Sequence, residues 1–240
     1  MTSTGQNSGG KISHTSAAPS GDWPGIGDYV NALQNTQTCF VDRRLMESVI
    51  DGRRQVIQGK ELLTPQARNG AFASVFRLNH ADGTATALRV FHTKPQSEEN
   101  VKRLHAISQH LNGLGAKRPS FLLKFNYEPQ GIFCMGAWRP IQTMEWVDGK
   151  PLGTWYEHQM RAKNYGVMRS MADHWQKLVY ALQDLKIAHG DLQHGNVMVR
   201  TDNTPVLVDY DGMCVPKLVE IPPLPCLEFG LPEYVHPKRN

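Results

Sequence analysis

Cysteine is scarce in this chain. Its 240 residues hold four, Cys39, Cys134, Cys214 and Cys226, far apart and with no C-x-x-C pair. That spacing excludes a zinc ribbon or redox dithiol and predicts free thiols in a reducing compartment. Long hydrophobic runs are missing as well. No apolar stretch approaches the roughly 20 residues needed to span a bilayer. No positive segment followed by an apolar core marks a secretory leader at the start. A cytoplasmic protein without a membrane segment is therefore expected. Charge of one sign is weak: 26 Lys and Arg against 22 Asp and Glu leave a formal charge of +4. Such a balance tolerates anionic ligands but carries no footprint for nucleic acid. Gly52-Arg53-Arg54 and Pro237-Lys238-Arg239 are short and read as solvated surface. No internal repeat is present.

Large apolar side chains are almost absent from residues 1–21. Such a segment cannot bury enough surface to offset its ordering entropy, so a disordered tail is expected. Residues 22–65 read as an extension of short helices and loops, with anchors at Tyr29, Val30, Leu33, Phe40, Leu45, Val49 and Ile50. Beyond them the pattern turns strand-like. Residues 71–78 and 85–91 form two strands around the turn His80-Ala81-Asp82-Gly83. A helix follows, with Ser97 as its cap and Glu98 and Glu99 in its positive first turn. Its apolar face is Val101, Leu104, Ile107 and Leu111. Three more strands are expected at 121–125, 131–137 and 141–147. Next, Met168, Met171, Trp175, Leu178, Leu182 and Leu185 recur at alternating steps of three and four, a buried helical seam. Two short strands, 197–200 and 206–209, flank the turn Thr201-Asp202-Asn203.

The chemistry concentrates after that seam. His189-Gly190-Asp191-Leu192-Gln193-His194-Gly195-Asn196 is followed by Val206-Leu207-Val208-Asp209-Tyr210-Asp211-Gly212. Asp191 and Asn196 stand five apart, Asn196 and Asp209 thirteen. A loop carrying Asp191 and Asn196, a hairpin, then Asp209 would bring three oxygen-bearing side chains to one cleft. Phosphoryl transfer needs such a set: an acid that orients the attacking hydroxyl, and oxygen ligands that hold Mg²⁺ on the nucleotide phosphates. These two runs resemble the catalytic loop and metal-binding strand of the protein-kinase-like fold. The resemblance covers roughly residues 65–240 and points to an atypical bacterial domain. The Gly190-Asp191-Leu192 wording is also similar to aminoglycoside phosphotransferases and choline-kinase-like enzymes.

The resemblance implies an α+β fold of two lobes. An antiparallel-sheet small lobe (66–147) would precede an incomplete helical large lobe (148–240). ATP and Mg²⁺ would be the cofactors. Asp191 would be the catalytic residue that orients the substrate hydroxyl and accepts its proton late, and Asn196 and Asp209 would be the metal ligands. Residues 69–75 stand where kinases carry a glycine-rich phosphate loop. Gly70 matches the middle glycine, while Arg68 and Ala73 replace the outer two. An ordinary hairpin is the alternative there. Val75 and Ala87 would roof the adenine and Met198 would floor it. Met144 would be the gatekeeper, with the carbonyl of Glu145 and N–H of Val147 reading the adenine edge. Arg89 falls at the phosphate-binding lysine, an exchange that is not conservative. Its acidic partner would be Glu99, unless Glu98 and Glu99 serve only the helix dipole. Asp211 reads as a second metal ligand or as a solvated turn residue. His189 reads as a structural hydrogen-bonding residue.

Departures accompany the match. Gly190 replaces the arginine before the loop acid, and Gln193 replaces the lysine two residues after it. Residues 230–237 resemble the end of an activation segment, but Lys238 replaces the glutamate expected next. A large lobe completed by a partner or an extension is expected, with apolar surface on the seam left exposed otherwise. The leading function is ATP-dependent phosphoryl transfer to a Ser or Thr hydroxyl of a protein substrate. The alternatives are a pseudokinase serving as a nucleotide-binding or interaction module, and a small-molecule kinase of the aminoglycoside type.

Overall fold

Strict alternation along the chain builds the central sheet. The computed structural model describes residues 23–57, 59–70, 72–94 and 98–218. The expected tail, the start of the 71–78 run, the Ser97 cap, Cys226 and the 230–237 motif lie outside the described residues. Three short helices, α1 (Ile26–Ala32), α2 (Thr36–Cys39) and α3 (Arg43–Met46), lead to strand β1 (Val49–Ile50). A separate hairpin follows, β2 (Gly52–Ile57) and β3 (Lys60–Pro65). Strands β4 (Ala67–Asn69), β5 (Ala73–Asn79) and β6 (Ala85–Phe91) precede helix α4 (Glu98–Gly113), then β7 (Phe125–Cys134) and β8 (Ala137–Glu145). The antiparallel sheet runs β1-β5-β6-β8-β7, with β4 paired to β5.

Successive side chains of a strand point to opposite faces. Phe76, Leu78, Leu88, Val90 and Ile141 turn to one face and are buried against Tyr29, Leu33, Phe40 and Leu45 of the first segment. Each such burial contributes about 1.5–3 kcal/mol. The extension is therefore the back layer of the sheet, where the sequence offered only loops and short helices without a role. Trp23 Nε1 and the Tyr29 hydroxyl both donate to the Phe91 carbonyl, at 2.6 and 2.9 Å. Cys39 and Cys134 are free thiols in this layer, and burial pushes them up to about 12 and about 11.

Two corrections concern strands. The three strands expected between 121 and 147 are two long ones, β7 and β8. Between Glu128 and Ile132 the register shifts within the ladder. A Cβ on Gly131 would collide with the Ile141 side chain, so only glycine fits there. The real turn is Met135-Gly136, both at positive φ, as a two-residue hairpin requires. Residues 121–124 form no strand, although Leu122 bridges Leu207.

The second half holds β9 (Gly149–Pro151), α5 (Leu152–Arg161), α6 (Tyr165–Asp184), β10 (Val197–Arg200) and β11 (Pro205–Leu207). The last two and β9 make a three-stranded antiparallel sheet, β11-β10-β9. Neither β9 nor α5 was expected. The fold is mixed α+β with antiparallel sheets. The seam of α6 is packed: Leu178 and Leu182 join α4, Tyr210, Met213, Val215 and Leu218 in one core. Met171 packs with Trp155 and Val199. Val206 and Leu207 are wholly buried. The seam is thus covered at Met171, Leu178 and Leu182 and only partly buried at Met168, Trp175 and Leu185. Among the described residues no helix is long and apolar enough to cross a membrane.

Candidate active site

The face of the sheet opposite the N-terminal helices opens on a cleft of about 580 Å³. Register decides which side chains line it. Ala87 pairs with Met144 and Arg89 with Gln142, so these four share a face with Val75, the partner of Arg89. Met198 of β10 closes the opposite wall and packs with Leu123, Val147 and Val206. Glu145 and Val147 lie at one edge, and Asn196 and Asp209 at the other wall. Gly70, Val75, Ala87, Arg89, Met144, Glu145, Val147, Asn196, Met198 and Asp209 thus meet around one cavity. The N–H of Val147 has no main-chain partner among the described residues.

A charged cluster closes the inner end. Arg89 Nη1 lies 2.9 Å from Asp209 Oδ1, 2.7 Å from Asp211 Oδ2 and 3.1 Å from Gln142 Oε1. Gln142 Nε2 donates to Asp211 Oδ1 at 2.7 Å. Asp209 sits outside the strand at φ 63°, a left-handed conformation that Asp tolerates better than most residues. Its side chain is 42% exposed, that of Asp211 only 17%. Burial raises the Asp211 carboxyl above the usual carboxylate range, and the Arg89 charge pulls it back. The reading of Asp211 as a solvated turn residue is therefore corrected: it is largely buried, and its two oxygens meet Gln142 and Arg89.

Glu99 was expected to partner Arg89. Instead Glu98 and Glu99 are exposed at the start of α4. The buried charge of that helix is Arg103, whose Nη2 donates to the Met213 carbonyl at 3.0 Å.

Asp191 stands behind Asn196 and does not line the cleft. Asn196 Nδ2 donates to Asp191 Oδ2 at 2.7 Å and to its main-chain carbonyl at 2.9 Å. Gln193 Nε2 adds a third bond, 3.0 Å to Oδ2. Asp191 Oδ1 is buried without a hydrogen-bond partner among the described residues. His189 is 3% exposed, meets the Val208 carbonyl through Nε2 at 3.0 Å, and stands edge-on to Tyr210. Desolvation lowers its pKa, which keeps the ring neutral and fits a structural role. Tyr210 locks the same region, accepting from Leu123 N–H and donating to the Leu207 carbonyl.

Gly190 has a backbone reason for replacing arginine. Its φ is 86°, and a Cβ there would run into the Gly212 carbonyl. The close approach follows from the antiparallel bridge between Ala188 and Cys214.

The turn between β4 and β5 is a tight hairpin, closed by Gly70 N–H donating to the Ala73 carbonyl at 2.8 Å. Ser74 Oγ bonds Asn69 Oδ1 at 2.7 Å and His92 Nε2 at 2.8 Å, which ties the turn without further glycines. Arg68 places its guanidinium 4.9 Å from the Trp146 ring centre. It lies by the Glu145–Val147 edge, away from Arg89. Arg77 also reaches Trp146, at 5.3 Å, and pairs with Asp148.

Among the described residues no group of three or more His, Cys, Asp or Glu forms a metal cage. The donors that are present suit magnesium held jointly with phosphates. Asn196 turns its nitrogen to Asp191, which frees its amide oxygen. Asp209 gives one oxygen to Arg89 and keeps the other. Mg²⁺ commonly binds one or two protein oxygens and completes its shell with substrate phosphates and water. In comparisons with known proteins, no family model matches the chain, and no curated protein matches it.

Proposed function

We propose that the chain is a nucleotide-dependent phosphotransferase of the protein-kinase-like class, acting on a Ser or Thr hydroxyl. The observation that carries this reading is convergence. Residues from five separate segments, Val75, Ala87 with Arg89, Met144 to Val147, Asn196 with Met198, and Asp209, surround one cleft of nucleotide size. The apolar part, between Val75, Ala87 and Met198, suits a purine. The polar end, with Arg89, Asn196 and Asp209, suits a triphosphate.

Arg89 neutralises phosphate charge from the sheet side. Asn196 and Asp209 would hold Mg²⁺, which when bound neutralises charge on the transferred phosphoryl group. Asp191 orients the acceptor hydroxyl and takes its proton as the oxygen bonds to the γ-phosphorus and the β–γ bridging bond breaks. That role needs Oδ1, which is buried in this structure, to open to the acceptor hydroxyl. His189 stays a support for the loop.

A second reading, a nucleotide-binding module without turnover, is favoured by one observation. Asp191 Oδ2 is held by two amides and Oδ1 is buried, so the carboxylate does not face the cleft. Radiolabelled ATP decides between them. Incorporation of label into protein that is lost in Asp191→Ala, with nucleotide affinity kept, supports transfer. Equal nucleotide binding in both proteins with no incorporation in either supports the binding module.

A further inference from the structure

We infer that Asp211, braced by Gln142, is the residue that positions Arg89 toward the cleft, in the place where a carboxylate from α4 was expected. The inference rests on the nucleotide-binding reading above and deepens it.

Arginine is long, and an unbraced guanidinium at the end of β6 would sample many rotamers. Here it is held in a closed ring. Gln142 stands directly opposite Arg89 in the β6–β8 ladder, so both side chains leave the same face. Gln142 uses both ends of its amide, accepting from Arg89 and donating to Asp211. Asp211 uses both oxygens, one for each partner. Gln142 and Asp211 thereby each use both of their side-chain polar atoms within the ring. Asp209 touches the same Nη1, but it is more exposed and lines the cleft. Asp211 is the buried brace and Asp209 the outward one.

The helix supplies no substitute. The acids of its first turn are exposed, and its buried charge is a cation turned to the Met213 carbonyl. The phosphate-facing arginine is therefore set by the 209–213 segment and the neighbouring strand. Its placement does not depend on the tilt of α4. The exchange of lysine for arginine and the acid at 211 belong together, because one Nη1 bridges two carboxylates that converge on it.

Calorimetric titration of the full chain with a non-hydrolysable ATP analogue and Mg²⁺, and separately with adenosine, tests this. Arg89→Ala should weaken the analogue about tenfold to a hundredfold, the range for a hydrogen bond to a charged group. Asp211→Ala should weaken it tenfold or more while leaving adenosine unchanged, and adding it to Arg89→Ala should cost nothing further. Asp211→Asn keeps the Gln142 contact but sets an amide N–H against the Arg89 guanidinium, so it should weaken the analogue about as much as Asp211→Ala. Should Asp211→Ala fail to fold, Asp211→Asn carries the test in the same double-variant form. Glu99→Gln should bind as wild type does. Losses from Asp211 and Arg89 that multiply, or a loss in Glu99→Gln, overturn the inference and leave the reading standing. A wild type that binds neither analogue nor adenosine overturns both.

Discussion

The side-chain amide of Asn196 holds Asp191 twice, at 2.7 Å through the carboxylate and at 2.9 Å through the main-chain carbonyl. Asn196 thus has two tasks, since its nitrogen fixes the loop acid and its oxygen faces the cleft. Asn196→Ala removes both. The expected outcome is a loss of about 1–3 kcal/mol in stability, the cost of leaving a partly buried carboxylate short of donors. Urea unfolding measures it. Phosphoryl transfer should fall at least as far as in Asp191→Ala.

Gly190→Ala is expected to be the most damaging single-methyl addition in the loop. It forces a side chain to φ 86° and into the Gly212 carbonyl. A cost above about 2 kcal/mol follows from the strain and the overpacking together. Gly27→Ala in α1 is the control. Nothing lies within 4 Å of its new Cβ, and alanine favours the helix by up to about 1 kcal/mol. Paired urea midpoints, one falling and one holding or rising, check the contrast.

His189 makes stability depend on pH in a definite direction. Desolvation lowers its folded pKa beneath the ordinary value of about 6.5. The unfolded chain therefore binds the proton first as pH falls. The stability from His189 is complete above about pH 6.5 and is lost as pH drops toward the folded pKa. Its largest slope is about 1.4 kcal/mol per pH unit. His80 and His110, also lowered by burial, act in the same sense. Melting curves from pH 7.5 down to about 5.5 should fall less steeply for His189→Gln than for wild type. Parallel curves would place the ring outside this linkage.

Arg68 and Arg89 separate the two ends of the cleft. Arg68 stacks on Trp146 beside the Glu145–Val147 edge, whereas Arg89 pairs with Asp209. Removing Arg68 should cost about 0.5–1 kcal/mol of exposed cation–π energy. Its effect on affinity should be the same for ATP, ADP and adenosine. Removing Arg89 should hurt ATP more than ADP and leave adenosine untouched. Titrations with the three ligands distinguish the two patterns.

Local periodicity made much of this legible. The alternation of 85–91 gives β6 with its observed limits, and the three-four spacing from Met168 to Leu185 gives the buried face of α6. Those signals need only neighbours in the chain. The residues Val75, Ala87, Met144 and Met198 reach one cleft as their motif positions imply. What escaped reading depends on distant partners. The ion pair of Arg89 with Asp209 spans 120 residues, and nothing local singles out Gln142 as the bridge to Asp211. The need for glycine at 131 and 190 was not legible, because the Ile141 side chain and the Gly212 carbonyl that demand it come from elsewhere. The stacking of Arg68 on Trp146 also joins residues far apart in the chain. The back-layer role of 23–50 likewise needs β5 and β6 for its meaning.

The central claim is that one cleft joins a base-binding end to a metal–phosphate end. Calorimetry on the full chain with ATP, with and without Mg²⁺, in wild type and Asp209→Asn tests it most directly. In wild type, Mg²⁺ should tighten ATP tenfold or more, and saturation at a hundred times the Kd should stabilise the fold by about 2.7 kcal/mol. In Asp209→Asn the Mg²⁺ dependence should vanish while adenosine binds as before. A folded wild type that shows neither heat nor a Tm shift at millimolar Mg²⁺-ATP would contradict the account.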